Sequence, residues 1–210
     1  MESTEPSNQH LLRNVYRFWR TKENGANSQE YENGLEDLGR CGTVEEFYSI
    51  YCYLPVIGTE QATNYSLFRE GIEPLWEDPA NSQGGRTILL INGTELAPML
   101  WEKLLLFTIS ESFNVGDEIC GVSVTVKTDV TSLCVWNRNS SLRRTVDEIE
   151  IGLRNGLALP NTVRVHYKPN RSAMANATKN ARKGGFNPQQ ENKKGKYKQS
   201  NRFSGLNEDS

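Results

Sequence analysis

The chain has 210 residues, 36% of them hydrophobic, and a formal net charge of −2. That length supports one domain with a sizeable core, and the modest hydrophobicity leaves part of the chain unpacked. No apolar run approaches the roughly 20 residues that span a bilayer, and the polar stretch from Met1 to His10 lacks a signal-peptide core, so no membrane role is expected. The charge is uneven. Residues 168–210 hold ten Lys/Arg against three Asp/Glu, whereas residues 1–167 hold 14 against 23, so an acidic body precedes a basic tail. Cys41, Cys52, Cys120 and Cys134 lack the close spacing of a zinc site or a disulfide framework and read as buried, reduced thiols.

Residues 1–9 read as a disordered arm. Val15 to Trp19 alternates in the manner of a strand, and the polar run 21–30 reads as a loop ending at Tyr31. Thr43 and Glu46 form a capping box for a helix that carries Val44, Phe47, Ile50 and Tyr51 and stops before Pro55. Asn81 to Gly85 reads as a turn. Arg86 to Ile91 is a strand ended by Asn92-Gly93. Leu96 to Phe113 is the longest helical candidate, with Leu100, Leu104 and Phe107 on one stripe and Pro98 in the first turn. Ile119 to Lys127 pairs as a hairpin with Leu133 to Trp136. Val146, Ile149 and Leu153 mark a third helix, and Val163 to Tyr167 a last strand. Beyond Lys168 the composition turns to Asn, Lys, Gln, Gly and Ser, and disorder is expected over 169–210. Residues 10–168 are left as one α+β domain, a mostly antiparallel sheet with three helices on one face.

Trp76-Glu77 is the most informative pair. An aromatic ring beside a carboxylate suits a cationic purine: the ring stacks on the base and the carboxylate accepts from its N–H edge. A second aromatic, Tyr31, is the candidate for the opposite face. Around the pair, Tyr65-Ser66-Leu67-Phe68-Arg69-Glu70-Gly71-Ile72-Glu73-Pro74-Leu75-Trp76-Glu77-Asp78 leads to Gly84-Gly85-Arg86. Glu111-Ser112-Phe113, Ile119-Cys120-Gly121 and Val135-Trp136 follow. In this ordered set, across roughly residues 10–168, the chain resembles the eukaryotic translation initiation factor 4E family, whose members bind the 7-methylguanosine cap of messenger RNA. The resemblance implies a curved antiparallel sheet with three helices on its convex back.

It also implies roles for individual residues. Trp76 and Tyr31 would stack on the base; Tyr31 stands where Trp is usual and resembles the 4E-homologous-protein branch. Glu77 would accept from the base N1–H and exocyclic amine, and Trp136 would pack on the N7 methyl. Arg86 and Lys127 would hold the triphosphate, Lys127 replacing the usual Arg. Ser132 stands where a further basic residue is usual, and Arg138 is a substitute on position alone. On the helical back, His10, Val44, Tyr48, Trp101 and Leu106 would receive an amphipathic helix from an initiation factor 4G-type scaffold or a 4E-binding protein. Tyr48 replaces the customary Trp, Leu11 the Pro after His, and Lys103 a common acid.

The expected protein is a monomeric, non-enzymatic binder of capped messenger RNA, placed in the cytoplasm with the nucleus as a second compartment. It has no cofactor, metal ligands or catalytic residues. Two alternatives stay open. One is a cap-binding repressor that does not engage the scaffold. The other is a cap- or nucleotide-processing enzyme. Against the enzyme, no Walker pattern occurs, Gly84-Gly85 is too short to cradle phosphates, and His10 and His166 have no evident nucleophile partner.

Overall fold

The computed structural model describes residues 9–22, 34–58, 63–93, 95–127, 130–160 and 163–172. Tyr31, residues 1–8 of the N-terminal arm and the tail from 173 lie outside the described residues. The strands are β1 (Leu11–Lys22), β2 (Leu35–Thr43), β3 (Thr63–Arg69), β4 (Gly85–Asn92), β5 (Ile119–Lys127), β6 (Val130–Asn137) and β7 (Val165–Pro169). They form one curved sheet in the order β2-β1-β3-β5-β6-β4-β7, with every neighbouring pair antiparallel. The helices are α1 (Val44–Tyr51), α2 (Pro79–Ser82), α3 (Ala97–Ile109) and α4 (Arg143–Gly156).

The expected cap forms, with its return bond shifted to the residue before Thr43. Thr43 Oγ1 accepts from the Glu46 backbone N–H at 3.0 Å, and the Glu46 carboxylate reaches back to the Gly42 N–H at 2.6 Å. Two strands escaped the sequence reading. β2 carries Asp37, Gly39 and Gly42, poor strand formers tolerated at a sheet edge, with a bulge against β1. β3 is central and buried on both faces from Asn64 to Arg69, so it shows no alternation to detect. The expected turn over Asn81 to Gly85 overlaps the one-turn helix α2, started by Pro79 and capped by Asp78, whose side chain accepts from the Ala80 N–H; the chain then turns, with the Gly84 N–H donating to the Asn81 carbonyl at 2.9 Å. Three of the four cysteines are buried thiols, with Cys41 and Cys120 pushed up to about 12 by burial; Cys52 is exposed.

Alternation divides the sheet. Tyr16, Phe18, Leu67, Val122, Leu133 and Leu89 face the helices and join Phe47, Leu104 and Ile149 in the main core. Phe68, Cys134 and Trp136 face the other way, into a second apolar cluster with Ile72 and Cys120. That second cluster floors the open face.

α3 ends at Ile109, four residues earlier than expected, because the chain turns to place a carboxylate. Glu111 adopts φ 56°. Its Oε2 accepts from Arg69 Nη2 at 2.9 Å, and its Oε1 accepts from Tyr16 Oη at 2.5 Å and Asn14 Nδ2 at 2.6 Å. The Arg69 and Glu111 side chains are only 8% and 13% exposed. Burial, reinforced by the hydrogen bond to Glu111, raises the Tyr16 phenol well above its ordinary range, so it stays a donor. Arg69 also pairs with Asp117 at 2.7 Å and holds that carboxyl below its usual range. This ionic cluster joins β1, β3 and the end of α3.

Candidate functional site

Register aligns the open face into rows. Arg17, Phe68, Gly121, Trp136, Arg86 and Lys168 are successive cross-strand partners from β1 to β7. The next row is Trp19, Ser66, Ser123, Cys134, Ile88 and His166. Gly121 is required in the first row: a Cβ there would lie 2.5 Å from the Phe68 ring and from the Leu67 carbonyl. The space it leaves lets Phe68 meet Trp136 edge-on, with centroids 5.5 Å apart at 68°. Trp136 is buried, and its indole N–H donates to Ser123 Oγ at 2.9 Å, which fixes the ring.

Trp76 arrives from the loop between β3 and β4. Asn81 is fully buried and holds that loop, its Nδ2 donating to the carbonyls of Glu73 and Leu75, each at 2.8 Å. Asn170, also fully buried, donates to the Asn81 carbonyl from Nδ2 and to the Gly84 carbonyl from its backbone N–H. Packed structure therefore continues past Lys168. Asp78 closes the loop by accepting from the Glu73 N–H at 2.9 Å. The Gly84-Gly85 pair has a steric cause: a Cβ at Gly84 would lie 1.7 Å from the Asn137 carbonyl oxygen, and one at Gly85 2.3 Å from the Tyr167 hydroxyl. Asn81, Asn170 and Ser123 support the site and were missed in the sequence, where an isolated Asn or Ser signals only a turn.

The half-buried Trp76 packs on the second cluster, and its indole N–H donates to the carboxylate of the exposed Glu77. Arg86 joins the two tryptophans. Its guanidinium carbon lies 4.8 Å from the Trp136 ring centroid and 5.9 Å from that of Trp76. Its Nε is buried and makes no hydrogen bond among the described residues. Trp76, Glu77, Arg86 and Trp136 thus come together as expected. Lys127 stands exposed at the far end of β5, six residues along the strand from Gly121, or about 20 Å. Arg138 does not stand in for Ser132. It lies six residues beyond Ser132 at the opposite end of the sheet, where its Nε donates to the Asp117 carbonyl at 2.8 Å.

On the helical back, Leu11, Leu12, Val44, Tyr48, Leu106 and Phe107 line an apolar groove, with Arg13 and Lys103 beside them. Tyr48 is 39% exposed and Leu11 83%. His10 does not line the groove but braces its wall. Its ring and backbone N–H bond the Glu45 carboxylate at 2.7 and 3.0 Å, and the hydrogen bond from the ring leads in holding that carboxyl down at about 2. Trp101 is a correction. It is 1% exposed and belongs to the core, because Leu100, Trp101, Leu104, Leu105 and Thr108 form the sheet-facing side of α3 while Lys103, Leu106 and Phe107 face the groove.

A family model described as eukaryotic initiation factor 4E matches residues 11–184. The eukaryotic translation initiation factor NCBP of Oryza sativa is 35% identical over 79% of this chain and 73% of its own length. Among solved structures, Caenorhabditis elegans eIF4E-3 in complex with the 4E-binding protein Mextli and a cap analog superimposes with a TM-score of 0.74. It is 31% identical, over 80% of this chain and 96% of that one. Ascaris suum eIF4E-3 with the m7G cap gives 0.72 at 30% identity, over 77% and 91%. The matched segment spans the sheet, the tryptophan site and the groove, and the chain belongs to the eukaryotic initiation factor 4E family.

Proposed function

We propose that the open face binds the 7-methylguanosine cap of messenger RNA and that the back groove links it to the translation initiation machinery through a scaffold protein. One observation carries the cap reading: the Arg86 guanidinium, a planar cation, already rests against the faces of Trp136 and Trp76. Rings that hold one planar cation suit another, and N7 methylation makes guanine cationic. Glu77, beside Trp76, is the acceptor for the base edge. The part-buried Arg86 guanidinium and the exposed Lys127 are the cations for the phosphates. The solved relatives with a cap analog and with the m7G cap support this assignment. Tyr31 is the second stacking ring in this proposal. The function contains no catalytic step, and we place it in the cytoplasm, with the nucleus as a second compartment.

Tryptophan fluorescence should quench on titration with 7-methyl-GTP and far less with GTP. Equal or absent quenching would overturn the cap reading.

The groove offers apolar walls with Arg13 and Lys103 on its rim, and among the described residues neither forms an ion pair. It fits an amphipathic helix with acidic side chains beside its apolar stripe. Such a 4G-type peptide should bind, and Tyr48→Ala should weaken it about tenfold, as for an aromatic anchor. Cap binding with no detectable peptide binding would favour the repressor instead.

A further inference from the structure

We propose that the outer face of β7 is a track for the phosphate backbone of the RNA that follows the cap; this rests on the cap-binding reading above. β7 and the two residues that lead into it have two chemically distinct sides. Val163 and Val165 pack on the main core, and Tyr167 Oη donates to Asn137 Oδ1 at 2.9 Å. The alternate residues Arg164, His166 and Lys168 are all exposed. Alternation spaces them about 6.7 Å apart along the chain.

Register joins this stripe to the tryptophan site. Lys168 is the cross-strand partner of Arg86, which partners Trp136, and His166 partners Ile88, which partners Cys134. The stripe therefore continues the open face, two strands or about 10 Å from Trp136. It runs in the same direction as the path from Trp136 toward Lys127.

The charges are also unusually bare. On β1, β2 and β3 four of the five arginines are neutralised, Arg17 by Asp37, Arg20 by Glu36, Arg40 by Glu70 and Arg69 by Glu111, and the exception, Arg13, lies beside the back groove. Among the described residues, the side chains of Arg164, His166 and Lys168 form no ion pair or hydrogen bond. The surrounding sequence offers no acid either, since residues 151–190 hold seven Lys/Arg and no Asp or Glu. An unpaired cationic stripe beside a nucleotide site is what a polyanion's backbone requires. Edge strands also carry charges merely to block sheet-to-sheet pairing, and that role predicts indifference to RNA.

The test compares 7-methyl-GTP with a capped ten-nucleotide RNA across a salt series, for the full chain and for the Arg164→Gln/Lys168→Gln double variant. The unmodified protein should bind the capped RNA more tightly than 7-methyl-GTP at low salt. The double variant should lose that increment, keep its 7-methyl-GTP affinity, and show a salt slope shallower by about 1.4, or 0.7 for each lost contact to a single strand. An unchanged slope and affinity for capped RNA in the double variant would overturn the track and leave edge protection. Uncapped RNA of the same sequence reports the track alone. A failure to bind 7-methyl-GTP would therefore sink the cap reading while this arm still decides the track.

Discussion

Trp76→Ala is expected to weaken 7-methyl-GTP binding by about 5- to 150-fold, corresponding to the roughly 1–3 kcal/mol carried by one stacked face. The ring supplies more than area. Its indole N–H donates to the Glu77 carboxylate, so the substitution also releases the acceptor proposed for the base edge. The fold should survive. Trp76 is only half-buried, and its loop is held independently by Asn81, Asn170 and Asp78. Arg86 would keep its contact with Trp136 at 4.8 Å. Fluorescence of the remaining tryptophans, or calorimetry, measures the loss, and circular dichroism checks the fold. Affinity unchanged in a folded variant would remove Trp76 from the site.

Glu111→Ala is expected to be the more damaging change to stability, by about 3–5 kcal/mol, the range for breaking a buried ion pair from one side. The substitution leaves the Arg69 guanidinium at 8% exposure with only the exposed Asp117 to pair with. It also removes the acceptor of the Asn14 amide and the shorter hydrogen bond of the Tyr16 hydroxyl, which keeps only the Thr108 carbonyl at 3.3 Å. Thermal and urea unfolding should show a melting temperature lower by on the order of 10 °C. Glu111→Gln keeps the shape and an acceptor, and should fall between the two. A loss below about 1 kcal/mol in Glu111→Ala would mean that water or Asp117 replaces the carboxylate, and that the cluster does not hold β1, β3 and α3 together.

The two substitutions separate tasks that the fold keeps apart. Trp76 sits on a loop at the open face, the proposed cap site. Glu111 lies beyond α3, under the end of the sheet, where β1 and β3 must stay fixed for the rows of the open face to remain in line.

Much of this protein was legible in its sequence because the informative signals are local. Thr43 and Glu46 announce the start of α1 within four residues, and the β-branched run of β5 announces a strand. Trp76 and Glu77 are adjacent, so their chemistry is visible before any fold is known. Strands β2 and β3 were not legible, one for its edge composition and the other because burial on both faces removes alternation.

The sequence by itself determined the family, the α+β class and the adjacency of Trp76 and Glu77 on which the cap proposal rests. Tertiary structure decided what depends on partners far along the chain. Arg69 finds Glu111 42 residues away. Arg86 finds Trp136 only because β4 and β6 pair in one register, and a slip of one residue would turn every side chain to the other face. Trp101 and Leu106 share a helix and an apolar character, yet one is core and the other lines the groove. Helical phase alone leaves both sides of α3 apolar; only the sheet packed against it chooses which side is hidden.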